Sequence, residues 1–220
     1  MKLRVIIFGA TGMVGEGVLH ECLHSDHVRK VLVINRRPCG VTHEKLTEIV
    51  VKDVRHLWTL GTALSGFDAC YYCAGISSVG LEEDAYRRIT YDLTMHTAST
   101  VLHYNPDMIF TYVSGLGTDS TEKGRSMWAR VKGKTENHII RFPFKASYMF
   151  RPGFIEPIDG LTHVYTMYKV LSPVIPALRK LFPSYVVSLK DIGQAMINVT
   201  IRGFPKRVLE CRDITSAARY

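Results

Sequence analysis

A short glycine-rich run near the N-terminus has the residue types and spacing that most clearly predict chemistry in this sequence. Residues 9–15 read Gly-Ala-Thr-Gly-Met-Val-Gly and directly follow the apolar run Leu3–Phe8. One glycine allows a tight turn, a second lets the backbone approach a pyrophosphate, and a third lets the next helix pack closely. The N–H groups at the start of that helix would face the phosphates. The run therefore predicts dinucleotide binding through Gly9, Thr11, Gly12, Met13 and Val14.

Two arginines follow the second predicted strand and bear on which dinucleotide is bound. Asn35, Arg36 and Arg37 stand about twenty residues after the glycine run, where an NAD site places an acidic residue. A carboxylate would repel a 2′-phosphate, whereas a guanidinium can bind it with two hydrogen bonds. The sequence therefore predicts a preference for NADP(H), with NAD(H) as the alternative. The competing interpretation is that both arginines are ordinary surface residues.

The elements that must position these residues alternate regularly between strand and helix. The patterns predict strands over residues 3–8, 30–34, 46–52, 67–73, 108–113 and 146–150, and helices over residues 13–24, 82–104 and 126–141. No linker interrupts them, so we expect an α/β fold, a Rossmann-type doubly wound parallel sheet of about six to seven strands. Ligands of such sheets bind beyond the carboxyl ends of the strands. That edge would collect the glycine run, Arg36, Asp53, Gly75, Ser114 and Arg151.

The C-terminal third is less regular. Residues 161–181 read as a helix broken at Pro173 and Pro176, residues 189–202 as a helix and residues 207–210 as a short strand. We treat residues 1–220 as a single domain in which residues 154–187 are mainly a substrate-side cap segment. The apolar stretch 170–182 fits pocket packing, a homodimer face or contact with a membrane surface, and the sequence leaves these open.

Composition narrows the class of protein. The chain has 220 residues, five cysteines without a disulfide-scaffold spacing and a formal net charge of +8. The basic residues are spread in pairs, so an anionic cofactor and a solvated surface explain the charge and no nucleic-acid partner is expected. No transmembrane segment or signal peptide is predicted, since the apolar-leaning stretch 161–178 is interrupted by His163, Lys169 and two prolines. We therefore expect a cytoplasmic protein with a small-molecule substrate.

Two metal-like motifs are interpreted as coincidences. Residues 20–24 match the His-Glu-x-x-His pattern of zinc proteases, but His20 and His24 fall on the polar face of the predicted helix, which we expect to face solvent. Cys70 and Cys73 form a Cys-x-x-Cys spacing, yet residues three apart on a strand point to opposite faces. We therefore predict no metal site.

With these motifs placed, the chain resembles the short-chain dehydrogenase/reductase superfamily over roughly residues 1–215. It is most similar to the atypical, epimerase-like members, the TIP30-like group. The motifs that carry the resemblance are the glycine run 9–15, Lys-Asp-Val at 52–54, Cys-Ala-Gly at 73–75, Tyr-Val-Ser-Gly at 112–115, the segment 128–132 and Arg-Pro-Gly at 151–153.

The resemblance implies a role for each matched residue. Asp53 and Val54 would meet the adenine, and Cys73, Ala74 and Gly75 would line the cofactor near its ribose. Ser114 matches the serine that hydrogen-bonds the reacting carbonyl or hydroxyl. Lys132 matches the lysine that binds the nicotinamide ribose and lowers the pKa of a neighbouring tyrosine. Arg151 and Gly153 would belong to the loop beside the nicotinamide.

One departure from the family pattern limits what can be inferred about turnover. The family pairs a tyrosine with the lysine as Tyr-x-x-x-Lys, and here Trp128 takes the tyrosine position. An indole N–H can donate a hydrogen bond but cannot relay a proton. Substitutes are Tyr112, Tyr86, Tyr91 or a water held by Ser114, and spacing does not choose among them. We therefore expect an NADP(H)-dependent oxidoreductase or epimerase-like enzyme, with a non-catalytic sensor or partner-docking protein as the alternative.

Overall fold

A computed structural model describes residues 2–158, 160, 161 and 184–220, and the first part of the chain runs from a strand to a long helix. In order, the elements up to that helix are β1 (Leu3–Phe8), α1 (Met13–His24), β2 (Val28–Asn35), β3 (Leu46–Val50), a kinked 3₁₀ run (Val54–Leu64), β4 (Ala69–Tyr72), α2 (Glu83–Arg87), a π turn (Arg88–Asp92) and α3 (Leu93–Tyr104).

The rest of the described chain completes the sheet and adds a strand pair. Its elements are β5 (Ile109–Val113), α4 (Met127–Arg141), β6 (Ala146–Arg151), β7 (Phe154–Glu156), β8 (Val186–Ser188), α5 (Leu189–Arg202), β9 (Val208–Glu210) and α6 (Cys211–Arg219). Within the described ranges, β7 and β8 pair with each other in parallel and stand apart from the main sheet.

The main sheet has seven parallel strands in the described chain, in the order β3-β2-β1-β4-β5-β6-β9. Six of them follow the order of a doubly wound dinucleotide-binding sheet. The predicted fold class is therefore confirmed. The direction of strand addition reverses between β1 and β4, and a ligand of such a sheet binds at the carboxyl ends of these strands.

β1 is apolar at every position except Arg4, and the packing of its two faces explains why. Val5 and Ile7 belong to a core packed by α1, α5 and α6, whereas Ile6 and Phe8 belong to a second core packed by the 3₁₀ run, α3 and α4. Alternate side chains of a strand point to opposite faces, so a central parallel strand must be apolar on both. Cys70 and Cys73 likewise lie in different cores, as predicted from their spacing.

The predicted boundaries agree with the structure to within one or two residues in the first 151 positions. The structure adds four features that the sequence patterns did not predict: the 3₁₀ run, the π turn, the β7–β8 pair and α6. Arg151 ends β6, one residue beyond the predicted strand, so Pro152 and Gly153 alone separate β6 from β7. The helix predicted over residues 161–181 falls, beyond residue 161, outside the described residues.

The polar face predicted for α1 is only partly solvent-facing. His24 is exposed and His20 is partly exposed, whereas Glu16 is buried at 8% exposure. Part of this side of the helix is covered by α5: a Cβ at Gly193 would lie 2.6 Å from the Cβ of Glu21. Periodicity identifies an amphipathic helix but not a second helix that covers its polar side.

The described helices were also checked as candidate membrane spans. None of them is long and apolar enough to cross a bilayer.

Candidate functional site

The glycine run forms a tight turn that can exist only with glycine at two of its positions. Gly9 has φ +84°, and a Cβ there would lie 2.6 Å from the Ala74 nitrogen. A Cβ at Gly15 would lie 2.1 Å from the Gly9 carbonyl oxygen. Both positions therefore bring backbone against backbone, which any larger residue would prevent.

Gly12 differs from Gly9 and Gly15 because a Cβ atom at this position would clash with no protein atom. A Cβ there would meet only the Gly9 oxygen, at 3.5 Å. Gly12 is also the N-cap of α1 and, as a glycine, has no side chain to cap the helix. The N–H groups of Met13 and Val14, in the first turn of α1, have no acceptor within the helix, and the Met13 side chain itself is buried. This is the geometry of a helix N-terminus that binds phosphate.

Asn35 holds the turn in place from the end of β2. Its Oδ1 accepts from the Ala10 backbone N–H at 3.1 Å, and its Nδ2 donates to Glu48 Oε1 at 3.1 Å. The residue is buried, so its side chain supports the loop and the edge of the cleft. Arg36 and Arg37 are exposed, and neither has an ion-pair partner in the described part of the chain.

An open cleft of about 620 Å³ lies at the carboxyl ends of β1 to β4. It brings together most of the residues proposed for cofactor binding from sequence. Those that line it are Gly9, Thr11, Gly12, Asn35, Arg36, Arg37, Asp53, Val54, Cys73, Ala74 and Gly75. The remaining proposed residues are not among the described residues that line it: Met13, Val14, Ser114, Trp128, Lys132, Arg151 and Gly153.

Asp53 lies in the cleft, but its carboxylate is already bound. It accepts from the Arg55 backbone N–H at 2.9 Å and from the Arg55 guanidinium at 2.7–3.0 Å. These hydrogen bonds lower the pKa of Asp53 to about 2. Val54 begins the 3₁₀ run that Asp53 caps, and both residues line the cleft together with Arg55.

Sequence reasoning missed the wall supplied by the helix that follows β4. Arg88, Ile89, Asp92 and Leu93 line the cleft, and all but Leu93 belong to the π turn. π turns are frequent at functional sites because they re-aim side chains relative to the rest of a helix. The helix itself was predicted, but no local pattern distinguishes the extra residue of a π turn.

Ser114 has its hydroxyl turned into the protein. Its Oγ donates to Glu136 Oε1 at 2.5 Å and lies 3.1 Å from the Phe150 carbonyl oxygen, and the residue is buried. Glu136 is fully buried on α4 and also receives two nitrogens of the Arg151 guanidinium. Glu136 is therefore the centre of a buried polar cluster that the sequence did not reveal.

The Arg151 guanidinium is held by the same cluster. Besides Glu136, it donates to Glu210 Oε1 at 3.3 Å and to Ser120 Oγ at 2.5 Å. The Arg151 guanidinium is thus engaged within the protein and its backbone pairs with Glu210 of β9, so the cofactor-loop role that the resemblance implies for Arg151 stays a prediction. Gly153 donates its N–H to Cys211 Sγ at 3.1 Å, and a Cβ there would lie 2.4 Å from the Tyr185 oxygen.

Lys132 and Trp128 lie one turn apart on α4. The Lys132 amine donates to the Ser114 carbonyl oxygen, and burial lowers its pKa to about 8 although the nearby Glu136 carboxylate raises it. The Trp128 ring packs beside Gly117, where a Cβ would lie 3.5 Å from it. The spacing of the family's Tyr-x-x-x-Lys pair is therefore kept, but an indole ring takes the place of the phenol.

Of the three tyrosines considered as substitutes, Tyr91 has its hydroxyl group bound to His138 Nδ1. Tyr112 and Tyr86 are buried, and burial raises the pKa of Tyr112 well above the usual value and also raises the pKa of Tyr86. Burial raises the pKa of Tyr91 as well. None of the three is among the described residues that line the cleft.

The strand order and this cleft define a Rossmann-type NAD(P)-binding protein. The start of α1, the open side of Gly12 and the guanidinium groups of Arg36 and Arg37, which have no ion-pair partner among the described residues, are compatible with an anionic dinucleotide. Residues 5–122 match the NAD dependent epimerase/dehydratase family, and the chain belongs to that family.

Curated relatives are distant but consistent with this assignment. The chain is 26% identical to Protein HTATIP2 of Rattus norvegicus over 153 residues, which is 69% of the chain and 62% of the rat protein. It thus spans less than two thirds of that relative's length. It is 23% identical over 208 residues to Protein FMP52, mitochondrial, of Meyerozyma guilliermondii, covering 89% of the chain and 84% of the relative.

Solved structures support the fold. A Helicobacter pylori ADP-L-glycero-D-manno-heptose-6-epimerase matches with a TM-score of 0.67 at 14% identity, over 99% of this chain and 82% of that one. The Bordetella bronchiseptica enzyme WbmF, solved with NAD⁺, matches with a TM-score of 0.66 at 13% identity, over 99% and 78%. At such identity the likeness concerns the fold alone.

Proposed function

We propose that this chain binds NADP(H) and acts as an oxidoreductase or epimerase-like enzyme on a small carbonyl or hydroxyl substrate. The observation that carries the proposal is the pair of exposed, unpaired guanidinium groups, Arg36 and Arg37, at the rim of a cleft that starts from a phosphate-type glycine turn. A 2′-phosphate presents several anionic oxygens to such groups, whereas an unphosphorylated ribose does not. Lys52 and Arg88 add further positive charge to the cleft.

The test is a calorimetric titration of the wild type and of Arg36→Ala with NADPH and with NADH. We expect the substitution to weaken NADPH binding by about 10–100-fold, the usual effect of losing charged hydrogen bonds. NADH binding should change by less than about threefold, because it lacks the phosphate. Arg29→Ala, an exposed arginine on β2 that does not line the cleft, is the matched control. Equal weakening of NADPH binding and NADH binding would exclude the proposed role of Arg36 in binding the 2′-phosphate.

A non-catalytic NADP(H)-binding sensor or partner-docking protein is a second candidate. Two observations favour it: Trp128 occupies the tyrosine position, and the Ser114 hydroxyl donates to Glu136. A hydroxyl whose hydrogen is given to a carboxylate cannot at the same time donate it to a substrate carbonyl.

Trp128→Tyr separates the two candidates. The readout is NADPH oxidation with a set of small aldehydes and ketones. Turnover in the mutant alone would mean that the wild type is a binding protein that has lost catalysis. Turnover in the wild type that the substitution lowers would place Trp128 in a working pocket.

The remaining proposals concern the cap segment, the cellular compartment and the oligomeric state. Residues 154–187 are proposed to form a cap over the substrate side, which is supported by the 2.7 Å hydrogen bond from the Phe154 N–H to the Tyr185 oxygen that joins its two ends. A reducing compartment is supported by the five free cysteines. We propose the cytoplasm, and the mitochondrial designation of the FMP52 relatives supplies the alternative. We also propose a homodimer, on the basis of the apolar stretch 170–182 of the sequence.

A further inference from the structure

The amine of Lys132 occupies a place in this structure that differs from that of a surface lysine. It donates to the Ser114 carbonyl oxygen, and it lies against Gly115, where a Cβ would be 4.0 Å from Nζ. The same Cβ would be 4.0 Å from the Pro152 carbonyl oxygen, so the amine sits at the junction of the loops that follow β5 and β6. These loops follow strands on the side of the sheet where a substrate would meet the nicotinamide.

The serine and tyrosines considered as alternatives to Lys132 are buried or already hydrogen-bonded. Trp128, one turn away, has no titratable group, and the Ser114 hydroxyl is engaged by Glu136. The Tyr91 hydroxyl bonds His138, and Tyr112 and Tyr86 are buried side chains that are not among the described residues lining the cleft. An ammonium has three N–H donors, and one of them is used on the Ser114 oxygen.

We infer that the Lys132 amine itself is the general acid and base of this site, in place of the tyrosine of the family pair. The inference rests on the proposed function. In the direction of carbonyl reduction, the ammonium gives one proton to the carbonyl oxygen and the C=O π pair becomes the new O–H bond. The neutral amine then recovers a proton from water. Bound NADPH supplies the hydride that completes the alcohol.

The charged groups around the amine are compatible with this role. Glu136 is one turn further along α4 and raises the pKa of Lys132, while burial lowers it more strongly, to about 8. Arg151 on β6 faces Glu136 and is itself paired with Glu210, so its charge is balanced. A group that changes protonation near neutral pH is the most effective proton carrier, because it can both give and recover a proton.

The test uses NADPH and 4-nitrobenzaldehyde as the probe, with the wild type, Lys132→Arg and the double variant Lys132→Arg/Trp128→Tyr. Arginine keeps the charge and the hydrogen-bond donors but cannot lose its proton. We expect Lys132→Arg to lower kcat by about 100-fold or more, the usual size of a general acid–base contribution. NADPH affinity should change by less than about threefold. In the double variant, the added tyrosine should raise kcat at least about tenfold above that of Lys132→Arg.

The pH profile supplies a second readout that does not require loss of activity. Wild-type kcat should fall above about pH 8, as the ammonium that donates the proton is titrated. Glu136→Gln should move this midpoint to lower pH, because it removes the carboxylate that stabilises the ammonium. If Lys132 only anchors the ribose, Lys132→Arg would raise the NADPH dissociation constant and spare kcat, and the tyrosine would rescue nothing.

The outcomes also separate this inference from the proposed function. A wild type that binds NADPH but reduces no probe at any pH overturns the inference and leaves cofactor binding intact. A wild type that binds neither NADPH nor NADH overturns the proposed function and the inference together.

Discussion

At the scale of single residues, Glu136 organises this site more than any residue with an obvious motif. A fully buried carboxylate is stable only when paired and hydrogen-bonded, and here the Arg151 guanidinium and the Ser114 hydroxyl supply those partners. The cluster links α4, β5 and β6, and it fixes the hydroxyl of Ser114 away from the cleft. In our proposal, proton transfer at this end of the site therefore falls to Lys132.

Replacing Glu136 by glutamine should lower the free energy of unfolding by about 2–4 kcal/mol, because it leaves Arg151 buried beside an uncharged amide. Urea denaturation at pH 7 measures the change. Glu44→Gln, at an exposed glutamate, is the control and should change stability by less than about 0.5 kcal/mol. Arg151→Met in the Glu136→Gln background should add little further loss, since the pair is already broken. Full additivity of the two losses would contradict this coupling.

At the scale of elements, the turn from β1 into α1 shows that the three glycines of one motif have different structural roles. Gly9 and Gly15 let backbone pass close to backbone, whereas Gly12 keeps space open at the uncapped end of α1. The first two are therefore required by the fold, and we propose that the third is required by the ligand. The helix after β4 contributes in another way, because its π turn aims Arg88 and Ile89 at the cleft.

Alanine substitutions at Gly15 and Gly12 should separate folding from binding. Gly15→Ala should destabilise the protein by about 3 kcal/mol or more, because its Cβ would have to lie 2.1 Å from a backbone oxygen. Gly12→Ala should change stability by less than about 1 kcal/mol and weaken NADPH binding by at least about tenfold. Thermal unfolding and calorimetric titration of both variants give the two readouts. Normal NADPH affinity in a folded Gly12→Ala variant would refute the phosphate role of Gly12.

At the scale of the whole molecule, the parallel sheet is covered on both faces and opens only at its edges. Two separate cores meet at the sheet, one under α1, α5 and α6 and the other under the 3₁₀ run, α3 and α4. The formal charge of +8 finds a partial explanation in the cleft, where five cationic side chains gather: Arg36, Arg37, Lys52, Arg55 and Arg88.

This charge distribution predicts how the whole protein responds to its ligand. Saturation with NADPH at about 100 times its dissociation constant should stabilise the fold by about 2.7 kcal/mol. For a chain of this size, that raises Tm by roughly 5–10 °C, measured by scanning calorimetry. NADH at the same concentration should raise it less. Adding KCl to about 0.5 M should narrow the difference, since salt screens the arginines, and a salt-independent difference would contradict an electrostatic origin.

Features that depend on interactions between neighbouring residues could be predicted from the sequence, whereas features that depend on contacts between distant residues could not. The strand–turn–helix at residues 3–24 and the arginines after β2 depend on neighbours within one element or turn, so pattern and spacing were sufficient. The packing of α5 on α1, between residues more than 160 positions apart, could not be predicted from a local pattern. The π turn and the 3₁₀ run have no reliable local signature.

The sequence by itself therefore determined the fold class, the dinucleotide-type turn and the absence of the family tyrosine, because these are written in local patterns and residue identities. Only the tertiary structure decided which groups remain free to act. The Ser114 hydroxyl bonds a carboxylate 22 positions away, and Arg151 bonds glutamates 15 and 59 positions away. Partners so far apart in the chain are brought together by the packing of α4 on the sheet, and burial then sets the protonation of Lys132.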